Sequence, residues 1–192
     1  MDKYILSDTD FILSDVSVKH ITPNFYTESS NFIGNAKSRG LHRLEITFKV
    51  TLENSADTKR MEAFLLSIRG RLNPFYLQLS PEEFHNPFYT NVDPFLANPI
   101  SIGQHSMILT GVSSTIPAGS KFQFANDDKV YTTLNDGRNN KAIEFFPSSR
   151  QAHVIKEKLN FNPAPLIRLT DDVMELKYER ASEISFRAME AL

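Results

Sequence analysis

Histidine is the side chain whose ordinary pKa lies closest to neutrality, so histidines are the first candidates for acid–base catalysis and metal binding. The chain has five of them, His20, His42, His85, His105 and His153. None stands at HxH or HExxH spacing from a second ligand, as the common zinc motifs require. We therefore predict surface or hydrogen-bonded structural roles for these rings, and we predict no metal and no cofactor.

Paired carboxylates are the next candidates, because they can bind calcium or act as an acid and a base. Asp127-Asp128 and Asp171-Asp172 both lack the alternating oxygen ligands, glycine and distal glutamate of an EF-hand loop. Both pairs follow turn-forming residues, so solvated turns are the better interpretation. Glu82-Glu83 could belong to a glycosidase pair, but nothing indicates its partner, and the preceding Pro81 is typical of a polar turn.

Nucleophilic catalysis has little support in the sequence. Loop serines occur at Ser113-Ser114 and Ser148-Ser149 with no base beside them, and no GxSxG, GxxxxGK(S/T) or GxGxxG motif occurs. The chain has no cysteine, which excludes disulfides, thiolate zinc sites and cysteine nucleophiles. We predict that the protein is not an enzyme and has no catalytic residue; an undetected hydrolase is the alternative.

The charge balance disfavours a nucleic-acid coat or a polybasic membrane binder. Lys and Arg together number 21 and Asp and Glu 23, for a net charge of −2 in 192 residues. The basic cluster Arg39, Arg43, Arg69 and Arg71 lacks the density and interleaved aromatic residues of a nucleic-acid surface. No apolar run approaches the ~18 residues that span a membrane. The first residues also lack the pattern of a signal peptide, so we expect synthesis in the cytosol and no membrane partner.

Two neighbouring periodicities define the clearest secondary-structure elements. In residues 42–52 apolar and polar side chains alternate, which is typical of a strand with one buried face. Residues 55–69 then place apolar side chains at i, i+3, i+4 and i+7, the stripe of an amphipathic helix. Asn54 or Ser55 can cap the start of this helix, and Gly70 is placed to take the left-handed conformation after its end.

The rest of the sequence predicts short strands and proline-rich connections. Alternation predicts a strand at 75–79, and residues 81–99, rich in proline and asparagine, predict a long connection. Beyond it, short strands with turn signals between them are typical of a small barrel. These barrel strands are predicted at 106–110, 121–124, 129–134 and 142–146. Three more strands are predicted after the Asn162–Pro165 boundary, at 166–169, 173–178 and 183–189.

The predicted fold class is mainly β, with one helix and two domains. The final strands match strand 42–52 in pattern and differ from the short middle ones. The economical interpretation is a discontinuous first domain, a β-sandwich or split barrel, made of residues 1–84 and 164–192. A small barrel similar to the oligonucleotide/oligosaccharide-binding fold is inserted between them at residues 85–163.

The inserted barrel carries aromatic residues that support a different function. Barrels of the oligonucleotide/oligosaccharide-binding type often present aromatic side chains to a ligand. The candidates are Phe122, Phe124, Tyr131, Phe145 and Phe146. A host-surface carbohydrate-binding module is therefore the alternative hypothesis, provided that the rings are exposed beside polar groups. Aromatic residues at period two in a barrel also form cores, and that interpretation stays open.

The order of these pieces resembles the distal tail proteins of long-tailed phages that infect Gram-negative hosts, and related prophage tail proteins. The motifs that carry the resemblance are DTKRMEAFLLSIRG (57–70), PFYLQL (74–79), IPAGSKFQF (116–124), DKVY (128–131), IEFFP (143–147) and PLIRL (165–169). Gly119-Ser120 stands where Gly-Asp is common in the family. The sequence departs from the family pattern in the linker and after residue 147.

The resemblance implies a fold and a function. In this family a tail-tube-like domain with one helix forms a ring of six copies around the DNA channel, and an inserted barrel projects outward. It implies a structural protein that joins the tail tube to the tail tip or baseplate. The expected partners are other copies of the chain, the tail tube protein and hub or baseplate proteins, while genomic DNA passes through the lumen without specific binding. The expected location is the virion tail, assembled in the host cytoplasm; no interface residue is assigned.

Overall fold

The computed structural model describes residues 4–80, 82, 84–88, 93–179 and 181–191. Over these residues the chain forms fourteen strands and one helix, and the prediction of a mainly β protein with a single helix is confirmed. The elements in chain order are β1 (Ile5–Ser7), β2 (Ile12–Ile21), β3 (Asn24–Glu28), β4 (Gly34–Ser38), β5 (Arg43–Leu52), α1 (Ser55–Ile68), β6 (Phe75–Gln78), β7 (Phe95–Leu96), β8 (Ser106–Thr110), β9 (Lys121–Phe124), β10 (Tyr131–Thr133), β11 (Ala142–Phe146), β12 (Leu159–Asn160), β13 (Leu166–Leu169) and β14 (Ser182–Glu190).

The first sheet has the strand order β1-β6-β13-β14-β5-β2. β1 and β6 run parallel and the other neighbours are antiparallel. At its centre β5 and β14 are in register over eight pairs, from Ser182 opposite Leu52 to Met189 opposite Glu45. The apolar residues that alternate along β5 are buried, as the sequence pattern predicts, because one face of this sheet lies on a core.

Helix α1 covers that core with the stripe predicted from its sequence. Met61, Leu65 and Ile68 are buried among the side chains of the first sheet. The Asn54 side chain caps the helix start, accepting hydrogen bonds from two backbone amides of the first turn. Within the described part of the chain, no helix is long and apolar enough to cross a membrane.

The helix ends in two consecutive left-handed residues. Gly70 has φ +62°, as its position after the helix predicts, and Arg69 before it has φ +54°. The backbone passes very close to Asp172 at this point. A Cβ on Gly70 would lie 2.8 Å from the Cα of Asp172, so only glycine fits here without movement of the chain.

The second sheet has the strand order β12-β9-β10-β11-β8-β7, and its two outer strands meet. The Leu96 amide donates to the Glu157 carbonyl (2.9 Å), and the Leu159 amide donates to the Pro94 carbonyl (2.8 Å). These bonds close the sheet into a small barrel, which leaves few unpaired strand edges. The barrel core is aromatic, with Phe122, Phe124, Tyr131, Phe145 and Phe161 all fully buried.

The two sheets draw their strands from different parts of the chain. Every strand of the barrel lies between residues 95 and 160, whereas the first sheet combines strands from residues 5–78 with strands from residues 166–190. Each sheet has its own core, and the core of the first sheet also takes in Val130 from the barrel segment. The domain bounds after residues 84 and 163 stay a prediction.

The strand predicted at residues 173–178 is wrong. These residues form no strand; β13 and β14, between which they lie in the chain, each already pair with two neighbours in the sheet. Residues 171–179, which we call the strap, instead cross over the sheet. Met174 and Leu176 pack on the core, and Arg71 binds Asp172.

Other differences from the predicted elements concern exposed or very short strands. The predicted elements do not include β1, β2, β3 or β4, nor the two-residue strands β7 and β12. β2 has a break in its register between Ser14 and Ser17, where Asp15 is left-handed (φ +50°), which weakens its period-two pattern. The predicted strand 129–134 is confirmed only over Tyr131–Thr133.

Candidate functional site

β3 and β4 form a hairpin in which all ten strand residues are exposed. The strands pair with each other from Asn24 opposite Ser38 to Glu28 opposite Gly34, and they pair with no other described strand. None of their side chains belongs to either of the two cores of the described chain. Residues 24–38 are called the hairpin arm below. An isolated two-stranded hairpin is marginally stable in water, so this arm would gain stability from a partner.

The hairpin arm exposes an aromatic ring on each of its faces. Phe25 and Tyr26 are adjacent in β3 and therefore point to opposite faces, with 61% and 63% of each residue exposed. The Arg39 guanidinium lies 5.2 Å from the Phe25 ring centroid. The Tyr26 hydroxyl donates to Glu28 (2.8 Å), and its ring lies over Gly34. These local contacts hold both rings in place without burying them.

The tip of the arm presents two more large apolar side chains. Phe32 is 87% exposed and Ile33 is 69% exposed. The turn is closed by hydrogen bonds from the Phe32 amide to the Ser29 carbonyl (3.0 Å) and from the Ser29 amide to the Ile33 carbonyl (3.1 Å). The tip therefore has a defined backbone, and its apolar side chains face solvent.

A groove of about 250 Å³ lies between the strap and β14. The apolar side chains of Val173, Met174, Ile184 and Phe186 line it together with charged side chains of the strap and β14, and Val173 is largely exposed. Arg71 holds the start of the strap, because its Nη2 (2.6 Å) and Nε (3.0 Å) both donate to Asp172 Oδ2 and its amide donates to Oδ1 (3.0 Å). We call this cavity the strap groove; it is formed within a single copy of the chain.

A buried ion pair joins the barrel segment to the first sheet. Lys129 Nζ binds Glu190 Oε2, and neither side chain is exposed to solvent. Glu190 also accepts hydrogen bonds from the amides of Leu44 (3.0 Å) and Val130 (3.1 Å). Burial lowers the pKa of Lys129, and the charge of Glu190 opposes this effect. One carboxylate thus holds β5, β14 and the start of β10 together.

Two histidines meet beside this ion pair, although 22 residues separate them in sequence. His20 Nδ1 and His42 Nε2 are 3.0 Å apart, so one ring donates a hydrogen bond to the other. The edge of the His42 ring meets Phe146 of the barrel, with 5.1 Å between ring centroids. Burial, followed by the charge of Lys129, lowers the pKa of His42 to about 4, and burial also lowers the pKa of His20.

A second cavity of about 370 Å³ lies at the foot of the hairpin arm, and we call it the base pocket. His42 lines it together with Ile21, Pro23 and Leu41, beside Glu190. The base pocket therefore lies where the arm leaves the sheet and where the barrel meets it.

The other three histidines lie apart from this pair. His153 is buried, stacks on Phe124 with 3.8 Å between ring centroids, and places Nδ1 3.1 Å from Glu157. The His85 amide donates to the Glu82 carbonyl (3.0 Å), and the His105 carbonyl accepts from the Phe145 amide (2.9 Å). No group of three or more His, Asp or Glu side chains in the described ranges could hold a metal ion.

The acidic pairs take part in contacts within the chain. Asp127 accepts hydrogen bonds from the Tyr131 hydroxyl (2.6 Å) and the Lys129 amide (3.0 Å), and Asp128 accepts one from the Tyr76 hydroxyl (2.8 Å). Asp172 binds Arg71, as described above. Of the pair Glu82-Glu83, residue 83 lies outside the described residues, as does Pro81.

The candidate serines and arginines do not converge. Ser149 is buried and donates to the Gln151 carbonyl (2.7 Å), whereas Ser113, Ser114 and Ser148 are exposed. Arg39 lies over Phe25 and Arg43 donates to the Glu190 carbonyl (3.1 Å). Arg69 forms the end of the helix and Arg71 binds Asp172. The four arginines thus serve separate local contacts.

The aromatic residues proposed for sugar binding are mostly core residues. Phe122, Phe124, Tyr131 and Phe145 are at most 1% exposed, and their rings pack against one another. Phe146 is 39% exposed, and its ring meets His42. Four of these five residues therefore lack the exposed aromatic surface that the carbohydrate-binding hypothesis requires.

The comparisons with known proteins leave the family open. No family model matches the chain, and no curated protein matches it either.

Sequence reasoning missed the hairpin arm and its tip. The strands of the arm are exposed on both faces, so no alternation marks them. A usable signal was present nevertheless. The dipeptides Phe25-Tyr26 and Phe32-Ile33 stand in a stretch otherwise rich in Asn, Ser, Thr and Gly, where a solvated loop has no need of large apolar side chains.

Proposed function

We propose that this protein is a structural subunit of a phage or prophage tail, a distal tail protein. In this proposal six copies form a ring around the DNA channel and join the tail tube to the tail tip or baseplate. The ring contacts the tail tube protein on one side and hub or baseplate proteins on the other. DNA passes through the lumen without specific binding.

The observation that carries the proposal is the hairpin arm. A folded chain with two cores still presents Phe25, Tyr26, Phe32 and Ile33 to solvent, on an element that belongs to neither core of the described chain. Exposed apolar residues grouped in this way mark protein–protein contacts. A subunit that assembles with copies of itself would bury them.

The connection between barrel and sheet supports a scaffold role. Besides the Lys129–Glu190 pair, the Tyr76 hydroxyl binds Asp128, and Gln123 exchanges two hydrogen bonds with the backbone of Ala164 (2.9 and 3.2 Å). Such contacts resist rotation of the barrel against the sheet. The net charge of −2 also suits a channel wall past which DNA must slide, because a cationic lumen would retain it.

The test is negative-stain electron microscopy of the purified protein, with its mass measured by light scattering on the same sample. We expect ring-shaped particles with a central hole wide enough for a DNA duplex and a mass of six copies. A protein that stays monomeric at high concentration, and that does not bind to purified tail tubes, would contradict the proposal.

A further inference from the structure

Phe32 at the tip of the hairpin arm is held in a conformation that its side chain disfavours. Its φ is +59°, in the left-handed region, which costs a residue other than Gly, Asn or Asp about 1 kcal/mol. The residue is 87% exposed, so packing of its ring within the chain offsets little of this cost. Glycine or asparagine would suit the turn better. Strained residues of this kind concentrate at binding sites. Phenylalanine differs from glycine and asparagine by its aromatic ring, so the ring is what the strained position provides.

The strap groove offers a matching surface that no arm residue of the same chain lines, within the described residues. Met174, Ile184 and Phe186 contribute apolar side chains to it, and Asp171, Glu175, Lys177, Glu183 and Arg187 contribute charged ones. Arg71 and Asp172 hold the start of the strap above it. A pocket that offers apolar contacts can seat an aromatic anchor residue.

The charges of the two surfaces are complementary. The arm and the residues that follow it, 24–41, contain two basic residues, Lys37 and Arg39, and one acidic residue. The residues that line the strap groove include three acidic side chains, Asp171, Glu175 and Glu183, and two basic ones, Lys177 and Arg187. Opposite potentials of this kind orient two surfaces as they approach each other.

The exposed area of the arm fits an interface between two copies. Phe32 at the tip is 87% exposed, and Phe25 and Tyr26, which point to opposite faces of the arm, are 61% and 63% exposed. At roughly 200 Å² for each fully exposed aromatic residue, Phe32 and the aromatic residue on one face together offer roughly 300 Å². That is more than a third of the ~800 Å² that each partner buries in a protein–protein interface of standard size.

The positions of the arm and the groove determine how two copies of the chain can contact each other. The arm leaves the first sheet at Ile21 and returns at Arg43, which is opposite Ile21 at one end of the β2–β5 pair. The groove lies along residues 183–187 of β14, which pair with residues 47–51 of β5, further along the sheet. Each copy therefore offers two different surfaces. Joining unlike surfaces gives a head-to-tail series, which closes into a ring when the rotation between copies allows it.

We propose that the hairpin arm of one copy inserts the side chains of Phe32 and Ile33 into the strap groove of the next copy. The inference rests on the proposed function, since it names the surfaces through which copies in the ring join. The partner is a second copy of this chain.

The absence of native cysteine permits a direct cross-linking test. Asn31→Cys places a thiol at the tip without removing Phe32, and Ser185→Cys places one at the groove with little change of volume. The two single-cysteine proteins are mixed, treated with a short bismaleimide cross-linker and resolved by denaturing electrophoresis. Two matched mixtures replace Ser185→Cys by Ser114→Cys, on an exposed barrel loop, or by Leu41→Cys, at the base pocket.

We expect a heterodimer band with Ser185→Cys at least ten times stronger than with Ser114→Cys. We also expect Phe32→Ser to weaken self-association about 30-fold or more, as loss of an anchor residue does, whereas Ile102→Ser on the barrel surface leaves it unchanged. If rings form but the tip cross-links to Leu41→Cys, or equally to all three positions, this inference is overturned while the proposed function stands. If neither oligomer nor cross-link forms, both are overturned.

Discussion

Lys129 and Glu190 form an ion pair from which solvent is fully excluded. Lys129 lies just before strand β10 of the barrel, and Glu190 is the last residue of β14 in the first sheet. The pair stands 61 residues apart in sequence and links the two sheets. Glu190 receives two backbone amide hydrogen bonds as well, but Lys129 supplies its counter-charge. Removing the lysine would therefore leave a carboxylate buried without a cation.

Replacing Lys129 by Met should strongly destabilise the protein. The substitution removes the cation that compensates the buried charge of Glu190, and breaking one side of a buried pair typically costs about 3–5 kcal/mol. The measurement is the free energy of unfolding from urea denaturation. As a control, Lys19→Met removes a largely exposed lysine that lies 3.9 Å from Glu45, and it should change stability by less than about 1 kcal/mol. Equal effects of the two variants would show that the Lys129–Glu190 pair is not buried in solution.

The histidine pair should make the protein less stable in mild acid. The pKa of His42 is about 4 in the folded protein and 6.5 in the unfolded chain, so the unfolded chain binds the proton first as the pH falls. The contribution of His42 is therefore fully retained above pH 6.5 and is lost as the pH falls from 6.5 to about 4. Because the ring is partly exposed and screened by solvent, we expect a loss of about 1–2 kcal/mol.

Replacing His42 by glutamine separates the effect of this histidine from the protonation of carboxylates. His42→Gln should flatten the pH dependence of the free energy of unfolding between pH 6.5 and 4. The same pH slope in the variant and the wild type would contradict the assignment to His42. The groups that face this ring are His20, Lys129 and Phe146.

The sequence predicts elements whose burial repeats with their own period. β5 and α1 have one buried face each, so alternation and the helical stripe identify both, and Asn54 and Gly70 mark the helix ends. The arm strands β3 and β4 have no buried face, so they show no period. For residues 173–178 the strand prediction fails in the opposite way, because an alternating pattern is present and no strand forms. Their alternation reflects packing of Met174 and Leu176 on the core, but strand formation needs a free sheet edge, which no local pattern reveals.

The contacts of the candidate sites are harder to predict from the sequence than the fold is. His20 and His42 meet because β2 and β5 pair with His20 opposite Leu44, and that register depends on a bulge near Asp15. The Lys129–Glu190 pair likewise depends on how two sheets meet. Spacing rules find ligands on one element, whereas these contacts join elements that are distant in the chain.

Replacing Phe32 by Asn should separate folding from assembly. Asparagine adopts the left-handed conformation readily, so the variant should gain up to about 1 kcal/mol in the free energy of unfolding of the monomer. It lacks the ring, so its self-association should weaken at least tenfold. Phe32→Ala is the matched control, because it also lacks the ring but keeps the strained backbone. An asparagine variant no more stable than the alanine variant would contradict the strain at this turn; undiminished association in both would contradict a role for the ring.

Replacing Gly70 by Ala should displace the strap and weaken assembly. A Cβ at this position would lie 2.8 Å from the Cα of Asp172, and the backbone there is left-handed, so strain and overpacking together should cost about 2–4 kcal/mol. Gly103, on the barrel, offers a matched control, since its φ is +83° and a Cβ on it would meet nothing within 4 Å. Gly103→Ala should therefore cost only about 1 kcal/mol. Light scattering should show weaker self-association for Gly70→Ala under conditions where it remains folded, because the strap forms one wall of the groove. If Gly103→Ala weakens association as much, the effect of Gly70→Ala cannot be assigned to the strap, since Gly103 lies in neither of the two proposed surfaces.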